Sequence, residues 1–264
     1  MLWAASSESP WAALWARYDA VLASMEKSEL AALDAWYLSS FPSVLQTREP
    51  KPFVEKAELQ RLMEWKLKKG KWRPQLMKFV TALDEDEVRQ ASCDALKELK
   101  KGDLRASTEA LCVLKGVGPA TASAVLAAYD GSVPFMADEA LEAIADVIGP
   151  RKYTLSHFLS FAGQLRTKAE WLNEQRVAND DEQAGSTDVW TAQRVQLCLY
   201  AEAHDGASST SGSKKTKVSP AAKRKREKAP TPPSAKKKKA KEKGTGDQDQ
   251  PLRRSQRNRQ QPAV

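Results

Sequence analysis

Apolar residues recur along this chain at helical spacing and nowhere form convincing period-2 strand pairs. Ser9-Pro10 reads as a cap followed by a first-turn proline, and an apolar stripe then runs from Trp11 through Leu14, Tyr18, Val21 and Leu22 to Met25. Ser28 begins a short second helix that turns Leu30, Leu33 and Trp36 inward. From Phe41-Pro42 to Lys51-Pro52 the prolines predict a loop. A third helix is expected over Val54–Lys68, ending near Gly70. A fourth starts at Pro74, and a fifth starts at Asp84 and ends at Gly102. Asp138 heads a helix closed by Gly149-Pro150. Thr154 opens a long helix reaching toward Trp171-Leu172, Asn179–Ser186 reads as a polar loop, and a last helix covers Thr187–His204. The pattern predicts an all-α domain of nine or ten helices over residues 1–205.

Between Gly102 and Asp138 the pattern is more specific. Ala106, Ala110, Leu111 and Leu114 share one helix face; Gly116-Val117-Gly118-Pro119 follows; Ala122, Val125, Leu126 and Tyr129 continue a second helix. This spells helix, tight hairpin, helix over about residues 106–129, with the two glycines expected to take backbone angles other residues avoid. Pro119 suits the first position of a helix, where its missing N–H costs nothing. A fresh helix N-terminus beside two glycines exposes N–H groups with no side chain in the way. That arrangement accepts an anionic oxygen such as a phosphate, without regard to base sequence. Lys115 and Thr121 can add a charge and a hydroxyl. The competing reading is a closely packed helix–helix turn with no ligand.

The run Trp65-Lys66-Leu67-Lys68-Lys69-Gly70-Lys71-Trp72-Arg73-Pro74 interleaves cations with two indoles. Lys68, Lys69, Lys71 and Arg73 are candidate phosphate contacts, and an exposed indole can stack on a base. The alternative is a solvated helix end with both indoles in the core and the cations complementing the helix dipole.

Leu114, Gly116, Val117, Gly118, Thr121 and Ala122 together resemble the helix-hairpin-helix of the DNA-glycosylase superfamily, over residues 114–138. Lys115 stands where the family has proline. Ala120 stands at the place of the lysine that forms a Schiff base in bifunctional members, and Asp138 falls at the spacing of the family aspartate. The wider context, including Gly70-Lys71-Trp72-Arg73-Pro74, is similar to the eukaryotic group named after the insect protein Amun, within the same superfamily. The resemblance implies an all-α glycosylase-type fold that contacts DNA through Lys115, Gly116, Val117, Gly118, Pro119, Ala120 and Thr121. It makes Asp138 the catalytic candidate, a carboxylate that stabilises charge developing at a sugar carbon or orients water. Helix capping is the plainer role for the same residue. Alanine at position 120 implies no Schiff base at that point, so any base excision would be monofunctional and hydrolytic.

Charge divides the chain. The total is +8, yet residues 206–264 carry 18 Lys/Arg against 4 Asp/Glu, which leaves residues 1–205 with 24 against 30. The tail, rich in Ser, Pro, Lys and Gln, is expected to be disordered. Its clusters Lys223-Arg224-Lys225-Arg226 and Lys236-Lys237-Lys238-Lys239 look like a bipartite nuclear-import signal, which predicts nuclear localisation and an import receptor as partner; a non-specific polyanion-binding arm is the alternative. Cys93, Cys112 and Cys198 are too few and too scattered for a disulfide framework or an iron–sulfur loop, and with only His157 and His204 no metal or other cofactor is expected. No run is long enough for a membrane span and no secretory signal is seen, so a soluble intracellular protein is expected. Three functions follow as expectations. The first is a nuclear DNA-binding protein of glycosylase-like fold. The second is a monofunctional base-excision glycosylase using Asp138. The third is a chromatin-associated scaffold that binds protein, which the acidic balance of residues 1–205 keeps open.

Overall fold

The computed structural model describes residues 1–25, 27, 29–178 and 189–206. The tail clusters, the 179–186 loop and the start of the last predicted helix therefore lie outside the described residues, or partly so. Among the described residues the secondary structure is helical, without strands. After a short 3-10 turn at Leu2–Ala4 come α1 (Ser9–Trp15), α2 (Tyr18–Ser24) and α3 (Leu30–Ala35), then α4 (Phe41–Thr47) and α5 (Lys56–Lys69). Next are α6 (Pro74–Thr81), α7 (Glu85–Lys100), α8 (Leu104–Cys112), α9 (Pro119–Tyr129), α10 (Asp138–Ala143) and α11 (Ala145–Ile148). The long α12 (Leu155–Ala178) and α13 (Ala192–His204) complete the set. No helix among them is long and apolar enough to cross a membrane.

Three departures from the periodic reading have physical reasons. The first predicted helix breaks at Ala16-Arg17, where the Arg17 N–H bonds to Leu14 and tightens the last turn. The proline-punctuated loop is helical as far as Thr47: α3 runs through a π-helical turn, Trp36–Ser40, into α4, with the Phe41 N–H bonded to the Trp36 carbonyl. A widened turn is one way for a helix to carry Pro42, whose nitrogen cannot donate to the carbonyl one turn back. The helix after Asp138 is interrupted at Ile144, and Val147 faces solvent.

Two helices form the interior. In α9 every residue from Thr121 to Ala128 is buried, so this Ala-rich segment touches neighbours on all sides rather than along one stripe. In α13 all residues from Ala192 to Ala201 are buried except Arg194. Gln193 links the two regions: its N–H donates to Gly131 O and its Oε1 accepts the Phe135 N–H at 2.7 Å. α9 packs against α8, α5 and α4, while α13 packs against α12, α1 and α10.

The end of α5 is held by a buried ionic cluster. Lys69, 1 % exposed, donates to Asp34 Oδ1 at 2.9 Å and to the Tyr18 hydroxyl at 2.8 Å. Asp34 also accepts from Trp65 Nε1 at 2.7 Å and from Tyr18 Oη at 2.7 Å. The ammonium sits 3.9 Å from the Tyr200 ring centroid. Burial pushes the Lys69 amine below its ordinary range, while Asp34 opposes that shift. Asp34→Asn keeps the shape and removes the counter-charge. The expected loss is about 3–5 kcal/mol of stability, seen as a lower denaturant midpoint at unchanged slope.

Candidate functional site

The hairpin joins α8 to α9 through residues 113–118. Its two glycines do different jobs. Gly116 has φ +90°, and a Cβ there would lie 2.7 Å from Cβ of Phe79, so both conformation and space demand glycine. Gly118 has φ −112° and ψ −178°, extended backbone that any residue adopts, and a Cβ there would meet nothing within 4 Å. The expectation of unusual angles therefore holds at Gly116 and is corrected at Gly118. The backbone N–H groups of Gly116, Gly118 and Ala120 have no acceptor among the described residues. Thr121 and Ala122 donate back to Gly118 O and close the first turn of α9.

These residues form one wall of a cleft of about 230 Å³. Gly116, Gly118, Pro119, Ala120 and Thr121 line it. Lys66, Gly70, Lys71 and Arg73, from α5 and the segment leading to α6, line it as well, as do Asp138 and Tyr153. Separate stretches that the sequence singles out for different reasons thus meet in one place. The Asp138 position follows from the buried segment before it: Phe135 packs on Trp65 at 5.0 Å, and the Met136 N–H donates to Ser123 Oγ at 2.9 Å.

Asp138 is the first residue of α10, after an N-cap at Ala137, and makes no capping hydrogen bond. Its carboxylate is held from the side instead. Tyr153 Oη donates to Oδ1 at 2.6 Å, and Arg151 Nη1 lies 3.3 Å from Oδ2. Burial and this bond raise the Tyr153 hydroxyl above its usual range, so it stays a donor. Lys66 faces the same space. Burial and the neighbouring Arg73 bring its amine down to about 8, against the opposing pull of Asp138. Lys66 makes no hydrogen bond or ion pair among the described residues.

Other expected contacts lie elsewhere. Lys69 points into the core cluster, and Lys68 pairs with Glu29 and with Glu64 at 3.0 Å, so neither ammonium is presented to the cleft. Val117 is buried, and Lys115 is exposed outside the cleft with its amine 5.0 Å from the Phe79 ring centroid. Trp65 is buried and stacked on Tyr37 at 3.6 Å, which removes it as a base-stacking platform; Trp72 is half exposed. Sequence reasoning passed over Lys66 as a separate feature, counting it only within the basic run, and missed Arg151 and Tyr153. No local pattern marks the last two, since only the chain path beyond α11 returns them to Asp138.

A wider hollow of about 840 Å³ borders Trp15, Leu38, Pro42 and Tyr129, but the polar atoms of its neighbours Tyr18 and Asp34 are engaged with each other and with Lys69. No group of three or more metal-ligating side chains occurs among the described residues.

The glycine assignments separate cleanly by experiment. Gly116→Ala is expected to lose about 1–2 kcal/mol from backbone handedness alone, and more from the contact with Phe79. Gly118→Ala is expected to change stability by less than about 1 kcal/mol, because the restriction of the unfolded chain is offset by losing glycine at the N-cap of α9. Thermal or denaturant unfolding of the two variants measures the contrast. Compared with known proteins, the chain finds no match: no family model, no curated protein and no solved structure.

Proposed function

We propose that this is a nuclear DNA-binding protein of glycosylase-like helix-hairpin-helix architecture, which holds the phosphate backbone at the cleft between the hairpin and the end of α5. The observation that carries this reading is convergence. Three backbone N–H groups with no acceptor among the described residues, on the hairpin and the first turn of α9, belong to residues that line the cleft, and the cations Lys66, Lys71 and Arg73 line it too. Backbone donors and cations together suit a phosphate diester and carry no base preference. The net acidity of residues 1–205 is spread over the whole fold, whereas Lys66, Lys71 and Arg73 gather at the cleft and several carboxylates are paired away from it. Glu58 binds Arg48 at 2.6 Å, Glu98 binds Lys101 at 2.7 Å, and Glu29 and Glu64 bind Lys68.

A base-excision role is the second reading, and one observation favours it. Asp138 is not consumed by capping, and its carboxylate is fixed by Tyr153 and Arg151 at the cleft. Such a carboxylate is suited to stabilise positive charge at a sugar carbon or to orient water.

Gly118→Val tests the main reading, because its fold cost is small and its effect on close approach is large. A chain cut after residue 214 keeps all the described helices and removes most of the basic tail from the measurement. Duplex binding by that chain at low salt is expected to weaken roughly tenfold to a hundredfold in the variant, the worth of one or two hydrogen bonds to a charged group. Equal binding by both proteins, or none by either, overturns it. For localisation, the import-like clusters predict that deleting residues 214–264 from a reporter fusion too large to diffuse through nuclear pores moves it to the cytoplasm. An unchanged nuclear signal rejects that assignment.

A further inference from the structure

The N-terminal end of α9 lines the cleft, and the C-terminal end of the same helix lines the wider hollow of about 840 Å³. At 11 residues α9 is about 16 Å long, so the two spaces are distinct. A helix carries partial positive charge at its N-terminus and partial negative charge at its C-terminus. The end at the cleft suits an anion. The end at the hollow suits a cation, and there the carbonyls of Ala127 and Ala128 accept no hydrogen bond among the described residues.

We propose that this hollow is a docking groove for an extended basic segment of a partner protein, which sets a lysine or arginine side chain against the C-terminal end of α9. The proposal does not rest on the DNA reading of the cleft.

Measured contacts close a ring around the space. Tyr18 Oη donates to Asp34 Oδ2 at 2.7 Å and joins α2 to α3, while Gln46 Nε2 donates to Tyr129 O at 3.5 Å and joins α4 to α9. The Gln193 N–H donates to Gly131 O at 3.0 Å, and the Arg194 guanidinium lies 4.6 Å from the Trp15 ring centroid. These two contacts tie α13 to the end of α9 and to α1. Within the ring, Trp15, Leu22, Leu38, Pro42 and Leu197 supply apolar wall. Gln193 belongs to the same lining and is only 7 % exposed. Its Oε1 accepts the Phe135 N–H, and its Nε2 has no acceptor among the described residues. A buried donor left without a partner costs about 1–3 kcal/mol, which a carbonyl brought by a ligand offsets.

Extent and charge identify the occupant. Sites for drug-sized molecules run from about 300 to about 1,000 Å³. This hollow shares Gln46, Tyr129 and Gly131 with a second one of about 470 Å³ that reaches Leu99 and Lys100, so together they offer more than a compact molecule fills. An extended chain suits such a space. It presents N–H groups for the open carbonyls of α9 and C=O groups for Gln193. The charge favours a basic chain. Asp19 is exposed in the lining without an ion pair among the described residues, Asp130 lines the second hollow, and residues 1–205 carry 24 basic against 30 acidic side chains. The cations at the groove are set on its own rings and carbonyls. Arg194 covers Trp15 and has Nη1 3.3 Å from Val189 O, and the Lys100 amine lies 5.9 Å from the Tyr129 ring centroid.

A synthetic library of random peptides, selected on the full chain, tests this. Affinities of the recovered peptides are measured by fluorescence anisotropy. Asp19→Lys reverses the charge in the lining, and Ala35→Arg places a long cation in the wall from an exposed position of α3. Ala32→Arg adds the same charge to the same helix outside the hollow, and circular dichroism checks the fold of all three. The recovered peptides are expected to carry lysine or arginine beside apolar residues. They are expected to bind Asp19→Lys and Ala35→Arg on the order of tenfold more weakly, and Ala32→Arg as tightly as the unaltered chain. Recovery of no peptide overturns the proposal. So do acidic peptides held equally by every variant, which would be ligands of the basic tail, and basic peptides indifferent to both groove substitutions.

Discussion

The buried pair between Lys69 and Asp34 is the constraint on which the cleft depends. An ammonium taken out of water costs several kcal/mol unless its partners are well placed, and here a carboxylate, a hydroxyl and an aromatic ring surround it. Only one position of the α5 C-terminus satisfies all three. That position orients Lys66 one turn earlier, and it starts the Gly70–Arg73 segment at the cleft rim. Asp34 also binds Trp65 Nε1, and Trp65 packs on Phe135, so the same cluster reaches the segment that delivers Asp138. Charge in the core thus organises charge at the surface.

Much of this arrangement is legible in the sequence, and the failures are instructive. Helical periodicity finds the elements because apolar stripes are local. It misreads Pro42 because proline normally ends a helix, whereas here the preceding π turn lets the chain continue. Glycine at position 116 is readable as a conformational need. Glycine at 118 looks identical in sequence yet has an ordinary backbone, so its meaning lies in the open space above it.

The basic run shows the same limit more sharply. Lys66 and Lys69 are three apart and share a helix side, while Lys68 lies elsewhere on the circumference. A periodic reading therefore groups Lys66 with Lys69 and cannot say that one ends in the core and the other in a cleft. The decision belongs to Asp34, more than thirty residues earlier, and to Tyr18 and Tyr200 on other helices. Asp138 is a parallel case. The residue type and its place at a helix head predict a cap, but the backbone puts Ala137 at the cap position and leaves the carboxylate to Tyr153 and Arg151, which only the tertiary path supplies.

Net charge is a poor guide to the partner of such a domain, for a physical reason. Fields at a protein surface are set within about 10 Å at ordinary ionic strength, so distant carboxylates contribute little at the cleft. Near the cleft the balance is uneven. Asp138 is shared with Arg151, and Glu139 faces His204 at 3.4 Å, while Lys71 and Arg73 have no carboxylate within ion-pair distance among the described residues. A domain with an acidic total can thus keep a basic cleft, provided its acidic groups are bound up elsewhere. The same unevenness acts on Lys66. Burial and the nearby Arg73 bring its amine down to about 8, against the opposing pull of Asp138. One local surplus of positive charge therefore sits at the cleft and, at the same place, shifts the amine that lines it.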